Sequence, residues 1–244
     1  MPDPTVVLRR AGQSFVTRGT GRITRHCFSF AEHYDPANVS YAALLVCNDD
    51  RLLSDAGYPD HPHRDAEIVT WVLSGSLVHE DSHGHRGVVH RGLAQRMSAG
   101  SGIIHAERND AYRLDPAQPP TPAHVVQMWL RPDESGTTPA YAQRELDLND
   151  LRGDWVPVAS GQNQHAAIDL ASRGSTLWVT QLGFGACRLL PEHDHLHVYV
   201  ARGEAELETV GTLAAGDSVR IGGRAAFKIT GRRAAEVMVW GMAS

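Results

Sequence analysis

The sequence predicts an all-β protein made of two β-barrels in tandem. Three observations carry this. Short alternating or apolar runs recur between turn signals. Val, Thr, Gly and Pro are plentiful while helix-favouring runs are few. The two halves of the chain also echo one another in their order of strands and turns.

In chain order, the expected strands lie at 41–47, 67–73, 76–79, 87–90, 124–130, 176–182, 197–201, 205–208, 218–221 and 236–240. Gly, Asp and Ser mark the turns between them: Ser74-Gly75, Asp81-Ser82-His83-Gly84, Ala99-Gly100-Ser101-Gly102, Arg202-Gly203 and Ala215-Gly216-Asp217. Many short strands with regular turns form a sandwich or a barrel. The stretch RPDESGTTPAYAQRELDLNDL is rich in Pro, Gly and polar residues and separates two strand-rich blocks of similar size. This sets a first domain at 1–132, a connection at 133–150 and a second domain at 151–244. VLSGSL followed by HRGLAQRMSAG in the first half is echoed by VYVARGEAEL followed by GTLAAGDSVRI in the second.

The chain of 244 residues is long enough for two small cores. Hydrophobic residues at 42% and charged residues at 21% are ordinary for a globular protein. The net charge of −5, with scattered Lys and Arg, gives no basic face for nucleic acid. No window is apolar enough for a membrane helix, and the N-terminus lacks a signal-peptide pattern. Cys27, Cys47 and Cys187 are odd in number and widely spaced, with no CxxC pair. A disulfide framework or structural zinc site is not expected, and a cytoplasmic location fits.

The 14 histidines are the compositional oddity. Two short pairs stand out: His61-Pro62-His63 and His105-Ala106-Glu107. Side chains at i and i+2 of a strand share a face, so each pair offers two donors side by side. If the two strands are neighbours, four donors converge, and three imidazoles with one carboxylate suit a divalent transition metal. A buried Glu107 without a positive partner is costly, and a metal supplies one. Glu67 competes for the carboxylate role, because four residues after His63 it shares that face on an unbroken strand. In the second half, His193, His195 and His197 alternate, but no later donor matches His105 there. That half is expected to hold no metal.

HxHxxxE followed by Gly75 looks like the first cupin motif. More specifically, the sequence resembles the pirin family, and within it the bacterial pirin-like bicupins. The stretches that carry this are RHCFSFAEHYDPAN (25–38), HPHRDAEIVTWVLSGSLVHEDSHG (61–84), MSAGSGIIHAERN (97–109) and TPAYAQREL (138–146). The second half resembles the family only in its strand pattern. Asp65-Ala66 and Arg96 depart from the pattern of many relatives, without touching a donor.

The resemblance implies two cupin (double-stranded β-helix, or jelly-roll) barrels with one divalent metal in the first. The ligands it implies are His61, His63, His105 and Glu107, with Glu67 close by but not a ligand. It further implies Fe(II), with Zn, Mn, Ni, Co or Cu as alternatives. The implied activity is that of a quercetin 2,3-dioxygenase: opening of a flavonol-like substrate by O₂ with release of carbon monoxide, Glu107 serving as base. The alternative it carries is a regulatory, redox-sensing pirin that acts through a protein partner.

Overall fold

A computed structural model describes residues 4–115, 117, 119–162, 165–224 and 226–244. The chain opens with β1 (Thr5–Arg9). The first half then lays down β2 (Phe15–Gly19), β3 (Arg22–His26), β4 (Leu44–Leu52), β5 (Gly57–His63), β6 (Glu67–Ser74) and β7 (Ser76–Asp81). β8 (Arg86–His90), β9 (Leu93–Ser98), β10 (Ile103–Arg108) and β11 (Ala123–Leu130) complete it. β12 (Ala140–Glu145) and a one-turn helix, α1 (Asp150–Gly153), follow. The second half contains β13 (Val156–Ser160), β14 (Ile168–Asp169), β15 (Ser175–Leu182), β16 (Cys187–Leu189) and β17 (His195–Leu207). It ends with β18 (Gly211–Ala214), β19 (Ser218–Gly222) and β20 (Lys228–Met242). The protein is all-β, as the sequence predicts. Among the described residues no helix is long and apolar enough to cross a membrane.

The first half pairs a seven-stranded sheet, in the order β12-β9-β6-β11-β4-β3-β2, with a four-stranded sheet, β5-β10-β7-β8. The second half is one nine-stranded sheet along β1-β19-β17-β20-β15-β13-β14, with β16 and β18 added to β20 and β17. Two features lie outside the local sequence pattern. β1 pairs with β19, Leu8 opposite Val219, so the first strand of the chain completes the sheet of the second half. β12, within the stretch expected to connect the halves, pairs with β9 and extends the first sheet.

Arg202-Gly203, expected as a turn, is instead an interior bulge of the continuous strand β17. Gly203 sits at φ +70°, and a Cβ there would fall 2.0 Å from the Ala234 carbonyl oxygen. The extra residue bends β17 without ending it, so one strand serves β19 at its start and β18 at its end.

β6 and β11 are buried along nearly their whole length because both of their faces are covered. One large core joins the halves: Trp71, Met128 and Leu130 pack with Leu177, Tyr199 and Trp240. Two polar contacts cross this seam. Trp71 Nε1 donates to Glu236 Oε1 at 2.8 Å, and Tyr199 Oη donates to Asp49 Oδ2 at 2.7 Å. A separate apolar core that includes Val198, Val219 and Val237 fills the second half.

Candidate metal centre

β5 is the edge strand of the four-stranded sheet, and this is why Pro62 is tolerated in it: its outer side needs no backbone donor. On its inner side β5 pairs with β10, His61 opposite His105 and His63 opposite Ile103. A Cβ on Gly57 would meet the Glu107 carbonyl oxygen at 2.1 Å, so this close approach of the two strands requires glycine. The ring centroids of His61, His63 and His105 lie 4.4–4.9 Å apart. One nitrogen from each of the three comes within 4.8 Å of the others.

The tautomers follow from the hydrogen bonds. His61 Nδ1 donates to the Pro59 carbonyl at 2.8 Å, which leaves Nε2 as a bare lone pair. His105 Nδ1 makes a 3.4 Å contact with His79 Nδ1, and His79 Nε2 lies 3.3 Å from Asp81 Oδ2. The Asp81 carboxylate accepts from His79 Nε2–H, so His79 Nδ1 accepts from His105 Nδ1–H, and His105 Nε2 is bare. The Nε2 atoms of His63 and His105 are buried and have no hydrogen-bond partner. An unpaired buried polar atom costs about 1–3 kcal/mol, so these atoms fit a metal ion as their missing partner. Burial lowers His63 to about 4, and His105 to about 2 with help from its neighbouring histidines. Both are therefore neutral, as ligands must be.

Asp81 is fixed in turn. Its carboxylate accepts from the backbone N–H groups of His83 and His85 at 2.9 and 3.1 Å, and from the His85 ring at 2.9 Å. Burial pushes this carboxyl up, but those hydrogen bonds outweigh it and hold it below its ordinary value.

Glu107 is buried on the same strand as His105 and forms a second donor group with His105 and His79. Gln127 Nε2 donates to its Oε2 at 2.7 Å, and Trp129 Nε1 donates to Gln127 Oε1 at 3.0 Å, which sets the orientation of that amide. Burial pushes the Glu107 carboxyl up to about 7, against the hydrogen bonds of Gln127 and Thr70. The four residues singled out by their spacing are thus distributed over two overlapping donor groups that share His105. His79 was not singled out. Its signal is present in the sequence, as His79-Glu80-Asp81 places a histidine and a carboxylate at i and i+2.

Glu67 belongs to no donor group among the described residues, and it does not share the face of His63. It is buried, and its Oε2 accepts from the Ala171 backbone N–H of the second half at 3.0 Å. β5 ends at His63 and β6 begins at Glu67, with Asp65 between them at φ +49°. The break cancels the parity that would have set Glu67 beside His63. Of the alternating second-half histidines, His193 and His195 belong to no donor cluster among the described residues, whereas His197 groups with Cys27 and Cys47.

A cavity of about 530 Å³ opens beside His63, lined by Pro62, Arg64, Ser101, Ile103 and Ile104 among others. That volume is in the range of small-molecule sites, roughly 300–1,000 Å³. A cleft of about 470 Å³ at Arg91, Arg202 and Glu236 lies away from the histidines and carries no such donor set.

Fold and site together define a bicupin with a histidine-rich, metal-type pocket in its first barrel. Residues 9–130 match the family described as Pirin. Over 239 residues the chain is 46% identical to the Mycobacterium tuberculosis protein named "Putative quercetin 2,3-dioxygenase", covering 98% of this chain and 95% of that one. A protein of Escherichia coli K12 named quercetin 2,3-dioxygenase is 44% identical over 124 residues, half of each chain. Among solved structures, the bacterial pirin YhhW of Escherichia coli in complex with nickel(II) superposes with a TM-score of 0.85 at 29% identity, covering 98% of this chain and 99% of that one. A quercetin 2,3-dioxygenase from Acinetobacter baumannii shares the fold, with a TM-score of 0.73 at 21% identity and coverage of 93% and 83%. The chain belongs to the pirin family.

Proposed function

We propose that this protein is a metal-dependent dioxygenase of the quercetin 2,3-dioxygenase type, with His61, His63, His105 and Glu107 as the ligands of a single divalent metal. The observation that carries the reading is the convergence of three imidazoles, with buried, partnerless Nε2 atoms on His63 and His105, beside a cavity of small-molecule size. Relatives named for this activity and a pirin crystallised with nickel(II) support it. Fe(II) is the preferred metal. Nickel is the first alternative, because imidazole and carboxylate donors also suit it.

When bound, the metal supplies redox chemistry toward O₂ and a positive seat for an enolate oxygen. The remaining work falls to the chain. His79 and Asp81 fix the tautomer and orientation of His105. Trp129 orients Gln127, which holds Oε2 of Glu107 and so fixes the carboxylate. Glu107, buried and held at one oxygen by Gln127, is the group placed to accept the proton of an acidic substrate hydroxyl. The cavity beside His63 offers both an apolar wall at Ile103 and Ile104 and a cation at Arg64, a lining that fits a flat, hydroxylated aromatic.

Anaerobically purified protein, stripped and reloaded with Fe(II), Ni(II), Mn(II) or Co(II), is the test material. Loss of flavonol absorbance with matching CO release by one loaded form supports the proposal. Binding of one metal with no turnover of any flavonol removes the dioxygenase reading and leaves the metal site.

A further inference from the structure

A second convergence of donors lies in the seam between the halves. Cys27 follows β3, Cys47 lies on β4 and His197 on β17. Their ligand atoms come within 4.8 Å of one another, and all three residues are buried. Neither nitrogen of the His197 ring has a hydrogen-bond partner, although the residue is 1% exposed. A fully buried imidazole facing two thiols with both nitrogens unpaired is costly as it stands. The widely spaced cysteines meet because β3 and β4 are antiparallel neighbours: the Cys27 N–H donates to the Cys47 carbonyl at 3.0 Å. The donor that His197 lacks within its own half comes from the other half.

We propose that Cys27, Cys47 and His197 form a second, buried site for a monovalent thiophilic cation, Cu(I). Donor number and softness select this ion. Structural zinc takes four ligands, and no fourth donor is at hand: Asp49, close by, is occupied by Tyr199 at 2.7 Å and His124 at 2.8 Å. Two thiolates and one imidazole suit a three-coordinate soft ion. The Arg220 guanidinium stacks 4.2 Å above the Phe28 ring, and His197 lies against the same ring at 5.5 Å. Arg220 is paired with His197 across β17 and β19, and it donates to the Cys27 carbonyl at 3.1 Å. As the ion enters, both thiol protons leave to solvent; the hydrogen bond with Cys27, and then burial, hold the Cys47 thiol protonated until then. A small cavity of about 80 Å³, lined by His26, Cys27, Asn38 and Ser218, reaches Cys27.

The test uses full-length reduced protein carrying His61→Ala and His63→Ala, so that the first centre cannot contribute. It is titrated anaerobically with Cu(I), supplied as its acetonitrile complex, against a chromogenic Cu(I) chelator. The expected result is one Cu(I) retained per chain, with X-ray absorption showing two sulfur neighbours and one nitrogen. His197→Leu and Cys47→Ala should each weaken retention by more than the roughly 10- to 100-fold typical of losing an outer partner. His197→Leu replaces an unpaired ring with an apolar side chain, so its fold should persist, as circular dichroism would show. The proposal is overturned if the parent surrenders all Cu(I) to the chelator, or if the absorption spectrum shows no sulfur. Retention unchanged in both variants would overturn it too. Tight uptake of Zn(II) in a four-coordinate spectrum would overturn the choice of a monovalent ion.

Discussion

His105 stands directly opposite His61 across the β5–β10 pair, with their ring centroids 4.4 Å apart. Each ring commits its Nδ1 to a partner outside the centre, Pro59 for one and His79 for the other. The two Nε2 lone pairs therefore face a common point. His61 is half-buried, so its removal should spare the fold. His61→Ala is expected to keep the wild-type melting temperature of the metal-free protein within a few degrees, while metal analysis after dialysis falls from one equivalent to a trace. Full metal occupancy in this variant would take His61 out of the ligand set.

His79 is expected to act through His105. His79→Ala removes the acceptor that fixes the His105 tautomer and should cost about 10- to 100-fold in metal affinity. His79→Gln, whose amide can accept from His105, should recover part of it. A spectroscopic change at the metal, read on the cobalt-substituted protein, would separate this orienting role from a loss of packing. Identical affinity and spectrum in wild type and His79→Ala would refute it.

Gly57 is expected to control the centre without touching it. A Cβ at this position would lie 2.1 Å from the Glu107 carbonyl oxygen and 2.8 Å from the Arg108 Cα, both on the backbone of β10. To accommodate it β5 must move away, carrying His61 and His63 from His105. Gly57→Ala should cost about 1–3 kcal/mol of stability and should lower metal affinity although every donor is intact. An unaltered metal affinity, measured by chelator competition, would show that the strands can separate without disturbing the histidines.

These expectations show where local pattern is informative and where it stops. The i, i+2 pairs at 61–63 and 105–107 were legible because each lies within one strand, where parity fixes the face. Glu67 does not share the His63 face, because that parity does not carry across the end of β5 and the turn at Asp65. Arg202-Gly203 looks like a turn because Gly has the same local signature in a bulge, and only the pairing with β20 tells them apart. The pairing of β1 with β19 joins residues more than 200 positions apart, and no local periodicity encodes it. Nor does it encode the meeting of Cys27 and Cys47 with His197, which depends on how the halves are packed.

Glu107 should leave a signature in the pH dependence of stability of the metal-free protein. Burial holds its carboxyl at about 7 in the folded chain, against 4.5 as an ordinary value. The unfolded chain therefore loses this proton first as pH rises. The contribution of the neutral, buried carboxyl is fully present below pH 4.5 and is lost as pH climbs through about 7. The gap is worth about 3 kcal/mol. His63 and His105 act in the opposite sense. Burial depresses them to about 4 and about 2, so their contribution is present above 6.5 and is lost on acidification. The wild type superimposes these opposing slopes. Glu107→Gln keeps the size of the side chain and an oxygen that can accept from Gln127, but it removes the titration. Its stability relative to wild type should therefore rise by about 3 kcal/mol between about pH 4 and about pH 8, read from urea unfolding at fixed ionic strength. The same variant should lose most turnover in the loaded enzyme, because an amide cannot take the substrate proton. A stability difference that stays flat across that range would mean that Glu107 is already ionised at acid pH in the metal-free fold.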